Sequence, residues 1–156
     1  MRHSPVRLLG TAWAVAVLTM AGCGEDNPVG PTNTPPDTTT NTPTRSVEAD
    51  PSFDTVITEI FSRNGCTASG CHGSAANAGL ELVTDPYGNL VDIASTQVAA
   101  LDRVTANDTI DSYLVIKLEG TDARMQGLQM PRNGTPLDTI DMNNIKNWIK
   151  SGAANN

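Results

Sequence analysis

Cys66-Thr67-Ala68-Ser69-Gly70-Cys71-His72-Gly73 is the stretch on which the reading of this chain turns. Two thiols precede an imidazole, and the second thiol is its immediate neighbour. This is the layout of covalent haem attachment, in which each cysteine sulfur bonds a vinyl group and the adjacent histidine ligates the iron. The common form is C-x-x-C-H, whereas here four residues separate Cys66 from Cys71. The inserted residues must bulge so that both sulfurs still reach their targets. Ala68, Ser69 and Gly70 are small, and Gly70 is able to take a positive φ there. The plainer reading is a Cys66–Cys71 disulfide stapling a loop, with His72 an ordinary surface residue.

On the N-terminal side, Phe53, Val56, Ile57, Ile60 and Phe61 repeat at helical spacing and predict an amphipathic helix with a core-facing stripe. Asp50 is its expected cap and Pro51 its first residue. Arg63-Asn64-Gly65 ends it, and Cys66 follows directly. On the C-terminal side, Leu80-Glu81-Leu82 reads as extended. Asp85-Pro86 is expected to open a second short helix carrying Tyr87, Leu90 and Val91. Residues 101–104 read as extended. Asp108 is expected to cap a third helix over 109–119, with Ile110, Tyr113, Leu114 and the Lys117 stem facing inward and Gly120 ending it. Residues 121–136 contain Gly127, Pro131, Gly134 and Pro136 and predict a loop. A last helix is expected over 138–150, with Asp138 and Asp141 at capping-box spacing and Met142, Ile145, Trp148 and Ile149 as its buried face. No repeat and no strand-rich pattern is present. The fold class expected is all-α.

Farther out the chain changes character. Gly24 to Ala49 holds five prolines and almost nothing apolar. Such a segment cannot bury enough surface to offset its chain entropy, so it reads as a disordered tether. Ahead of it, Arg2 and Arg7 precede an apolar run over 8–20, too short to span a bilayer comfortably. The run closes on Met20-Ala21-Gly22-Cys23, which resembles a bacterial lipobox. Cleavage before Cys23 and its acylation would anchor the chain, since more than one acyl chain gives stable membrane attachment. Gly24, where the lipoprotein family rule would require Asp for inner-membrane retention, favours the outer membrane. The expected organisation is therefore a signal peptide over 1–22, a linker over 23–50 and a folded domain over 51–156.

Removal of 1–22 takes Arg2 and Arg7 and moves the net charge from −7 to −9. Such a surface argues against nucleic acid as a partner; a basic redox partner, or simple solubility, fits it better. The same cleavage removes His3 and leaves His72 as the single histidine, with Cys23 for lipid and Cys66 and Cys71 for chemistry. That is too few Cys and His ligands for a conventional zinc site. Nucleophilic catalysis by Cys and His is also poorly served, because no further acid or base stands at a recognisable spacing. With aromatics limited to Phe53, Phe61, Tyr87, Tyr113 and Trp148, a domain of this size calls for a staple, and a covalently held haem would be one.

The order of short motifs resembles a single-domain c-type cytochrome of the exported bacterial lipoprotein kind. Ile60-Phe61 leads to Gly70-Cys71-His72-Gly73 and Leu80-Glu81-Leu82. Tyr87-Gly88-Asn89-Leu90, Ser112-Tyr113-Leu114, Met130-Pro131, Pro136-Leu137, Trp148-Ile149 and Ser151-Gly152-Ala153 follow. The resemblance implies a small cytochrome c-like domain of about four helices around one covalent haem c. It implies Cys66 and Cys71 as thioether cysteines, His72 as proximal iron ligand and Met130 as distal ligand. Met125 is the rival in the same loop, and Met142 reads as core. The function implied is single-electron transfer between redox proteins in the periplasm or at the cell surface, as a carrier and not a catalyst. The alternative is a haemless structural or binding lipoprotein with a Cys66–Cys71 disulfide.

Overall fold

In the computed structural model, residues 44–156 are described. The expected signal peptide, the lipidated Cys23 and the linker as far as residue 43 lie outside the described residues. Among the described residues, no helix is long and apolar enough to cross a membrane.

Pro51 is buried, and a wide π-helical turn, Phe53–Ile57, runs straight into helix α1, Thr58–Arg63. The apolar stripe lands inside: Phe53, Ile57, Ile60 and Phe61 are buried, and Val56 packs against them. The expected Asp50 cap is not used, because Asp50 is exposed and Ser52 is the flanking residue. The first amides are satisfied instead from the other end of the sequence. Phe53 N–H donates to Asn156 Oδ1 (2.9 Å) and Asp54 N–H to Asn156 O (2.9 Å). An orphan helix N–H needs an acceptor, and a distant asparagine serves as well as a local aspartate.

The second expected helix is absent as a regular element. Residues 85–91 form a turn in which Asp85 Oδ1 accepts from Gly88 N–H (3.0 Å), and Val91 then pairs with Val104. A glycine in so short a segment, with an aspartate competing for its amide, outweighs the helical spacing. The third helix is shorter than expected: α2 is Tyr113–Glu119, with Gly120 closing it at φ 72°. Asp108 caps a turn, accepting from Ile110 N–H (2.8 Å) and Asp111 N–H (3.0 Å). Ser112 Oγ returns to Asp108 O (2.5 Å), which holds the chain out of the helix. Ile110 consequently points outward, 73% exposed, against the inward orientation its spacing suggested.

Helix α3, Thr139–Lys150, starts at Asp138, whose carboxylate accepts from Asp141 N–H (2.9 Å). Asp141 does not return the capping bond. It is buried and takes Arg63 Nη2 (2.6 Å), Arg45 Nη1 (2.9 Å) and Asn64 Nδ2 (2.9 Å). Residues 44–50, which composition assigns to the tether, thus lie along α3. Asn144 Oδ1 accepts from Glu48 N–H (2.8 Å), and Asn147 Nδ2 donates to Glu48 O (2.6 Å). The core forms where the π-helical turn and α3 meet: Phe53 stacks edge-on to Tyr87 (5.2 Å) and tilts onto Trp148 (5.1 Å). Val115 and Leu118 of α2 join this cluster.

Candidate functional site

The motif loop begins one turn after α1. Gly65 takes φ 70°, and Cys66 N–H donates to Phe61 O (2.9 Å). Gly70, expected to supply the left-handed turn, is not among the residues with positive φ; Gly65 carries it instead. The insertion folds on itself: Cys71 N–H reaches Ala68 O (2.8 Å), Gly73 N–H the same carbonyl (3.0 Å) and His72 N–H Cys66 O (3.0 Å). Gly73 is forced at this crossing, because a Cβ there would stand 2.5 Å from Thr67 O and 2.9 Å from Ala68 O.

The loop hands His72 to the extended segment 80–82. Leu82 N–H donates to His72 O (2.7 Å), and His72 Nδ1 lies 3.2 Å from Leu80 O. A carbonyl only accepts, so in this contact Nδ1 is the donor and Nε2 is the ring nitrogen it does not occupy. A backbone carbonyl on the other ring nitrogen is what fixes the orientation of a metal-ligating histidine.

His72 lines a pocket whose apolar wall is Phe61, Leu80, Leu82, Leu90, Leu118 and Leu137. Cys66 and Met130 also line it; Met125 and Met142 do not. Met142 packs on the core from α3. Met130 N–H is held by Lys117 O (2.8 Å), and the Met130–Pro131 peptide is cis. Three of the four expected haem-binding residues therefore share one pocket. The fourth, Cys71, is exposed beside it and does not line the cavity. Both Cys66 and Cys71 are free thiols in this structure. Burial pushes the Cys66 thiol up from its ordinary value of 9.0 to about 11.

Two cations line the same pocket and were not legible as site residues. Arg103 donates to Asn89 O (2.6 Å) and Gly79 O (2.9 Å), and Lys117 Nζ to Gln126 O (2.7 Å) and Leu128 O (2.6 Å). Among the described residues, neither has a carboxylate within 4.0 Å. Burial lowers the pKa of both. Lys117 interrupts an apolar helix, which is a faint signal; Arg103 lies in an aperiodic segment and gives none.

In kind, these residues fit a haem: an apolar slot, an imidazole nitrogen, a thioether, a thiol in the wall and buried positive charge that could meet carboxylates. In size the cavity is about 90 Å³, space for about three waters. Its walls would have to part to admit a macrocycle. Several are loop residues, Leu80, Ser95, Thr96 and Gln97, and Ala78 lies in the single 3-10 turn Asn77–Gly79, with no helix–helix packing to break. Comparisons of the chain with protein-family models, curated proteins and solved structures find no match.

Proposed function

We propose that this chain is a membrane-tethered monohaem c-type cytochrome that carries single electrons between redox proteins outside the cytoplasm. The observation that carries the reading is the convergence of His72, with Nδ1 tied to Leu80 O, and of Cys66 and Met130 on one apolar pocket. Cys66 and Cys71 would each add an S–H across a vinyl group, so attachment consumes no oxidant. His72 would supply the proximal nitrogen and Met130 a soft sulfur that favours ferrous iron. Arg103, which uses two of its five N–H donors on carbonyls, would hold a carboxylate of the group. The bound haem would supply a one-electron couple; the chain's own work is burial, axial ligation and exclusion of water. With His72 and Met130 both holding the iron, no position would be left open for a substrate, which favours a carrier over a catalyst. Acylated Cys23 would anchor it to a bacterial membrane, with the outer membrane favoured, through the Pro/Thr-rich tether.

The test is an optical spectrum and an intact mass of the chain produced with a cytochrome c maturation system. A mass gain of one haem that survives denaturation, with sharp reduced bands, is expected. The far-red band of a methionine–Fe(III) bond should be present and should vanish in Met130→Ala. A colourless protein lighter by the two thiol hydrogens would overturn the proposal and leave a disulfide-stapled lipoprotein.

A further inference from the structure

Helix α2 reads Tyr113-Leu114-Val115-Ile116-Lys117-Leu118-Glu119, and Lys117 is only 7% exposed. An ammonium in such a place is costly unless acceptors surround it. Its acceptors are Gln126 O (2.7 Å) and Leu128 O (2.6 Å), and among the described residues no carboxylate stands within 4.0 Å of it. The same residue's backbone carbonyl accepts from Met130 N–H (2.8 Å). Lys117 therefore holds two carbonyls and one amide of the five residues 126–130. Tyr113, one turn earlier, completes the seam: its hydroxyl oxygen accepts from Gln126 N–H (3.0 Å). Gly127 bends between the two held carbonyls at φ 71°. Gln129 Nε2 reaches back to Leu118 O (2.7 Å), and its side chain packs so closely that a Cβ on Gly120 would meet Gln129 Cδ at 2.5 Å. The segment is thus shaped by its ties to α2, and the product of that shape is a methionine side chain in the pocket that His72 lines.

The geometry points to Lys117 as the positioning residue for Met130: its buried ammonium sets the 126–130 loop so that the thioether enters the pocket. The inference rests on the reading of Met130 as the distal ligand. It also gives Lys117 an electrostatic consequence. A buried positive charge beside the pocket disfavours the more positive ferric state, so its removal lowers the reduction potential.

The experiment uses the full chain with haem attached and compares wild type with Lys117→Met, which keeps the stem and deletes the charge and donors, and Lys117→Arg, which keeps both. Intact mass reads attachment, the far-red band reads methionine ligation and a redox titration reads the potential. The expected result for Lys117→Met is covalent haem at wild-type yield, loss of most of the far-red band and a lowered potential, with both signals recovered in Lys117→Arg. A merely stabilising lysine would lower the melting temperature and leave the band and the potential of the folded protein unchanged, and that outcome overturns the inference. Should Lys117→Met not fold, Lys117→Gln, too short to reach both carbonyls, is read in the same way. Wild type carrying haem but lacking the band would sink the positioning role while leaving the haem reading intact. Wild type without haem would sink both.

Discussion

Cys66 and Cys71 sit five residues apart in sequence and in different surroundings: Cys66 is packed against the core and Cys71 is exposed. Because the thiolate is the reactive form, burial that raises the Cys66 pKa to about 11 makes it the slower sulfur at neutral pH. Alkylation of the haem-free chain, followed by peptide mass, should label Cys71 well ahead of Cys66, with Cys66 catching up as the pH approaches 11. The same shift has a thermodynamic sign. The folded chain retains the proton longer than the unfolded one, so Cys66 costs nothing below pH 9.0 and destabilises increasingly up to about 11. At about 1.4 kcal/mol per pH unit the loss is on the order of 3 kcal/mol. Denaturant unfolding of wild type against Cys66→Ala across that window should show the difference in slope. At this scale Cys66, Cys71, His72 and Met130 stand out in the sequence because rare residue types occur at informative spacing, and the structure sets Cys66, His72 and Met130, but not Cys71, on one pocket. The sequence favours Met130, with Met125 as the rival in the same loop; the structure puts Met130 and not Met125 on the pocket, with its N–H held by α2. Arg103 was illegible because its partners, Asn89 O and Gly79 O, lie far back along the chain in irregular segments.

The elements show the same division between periodic and local information. The α1 and α3 stripes were legible because many apolar residues share one face. The 85–91 turn and the shortened α2 were not, because single side-chain bonds, Asp85 to Gly88 N–H and Ser112 to Asp108 O, decide them. The motif loop is the element where one atom decides most. Gly73 lacks a positive φ, so its requirement is steric: an added methyl would meet two backbone carbonyl oxygens that cannot move independently of the Cys66–Cys71 insertion. Gly73→Ala should cost about 2–4 kcal/mol, in the range of severe overpacking and backbone displacement. Urea unfolding of the haem-free variant measures it. Displacement of Ala68, whose carbonyl also accepts from Cys71 N–H, should in addition reduce the yield of doubly attached haem, read by mass. A Gly73→Ala variant as stable as wild type would show that the loop is looser than its hydrogen bonds imply.

The net charge of the whole chain is −7, and few cations among its described residues are left exposed and unpaired to offset the acidic groups toward a partner. Among the described residues, Arg45, Arg63, Arg124 and Lys146 are committed to carboxylates, and Arg103 and Lys117 are buried on carbonyls. Arg132 and Lys150 remain as exposed cations outside these pairs. Arg124 is held so firmly between Asp111 and Asp122 that Asp122 is drawn down to about 2, so this pairing persists through any physiological pH. A field of this sign steers cationic partners inward and anionic ones away. Electron exchange with a cationic cobalt complex should therefore be faster than with an anionic iron cyanide of similar driving force. Raising the salt from about 0.01 M to about 1 M shortens the screening length from about 30 Å to about 3 Å and should draw the two rates together. Arg132 stands two residues after Met130, so Arg132→Glu should widen the low-salt gap while leaving the high-salt rates unchanged. Stopped-flow traces of wild type and variant with both reagents at the two ionic strengths measure all eight rates. Equal low-salt rates for the two reagents would mean that the acidic surface lies away from the site of electron exchange, and a basic docking partner would then have nothing to recognise there.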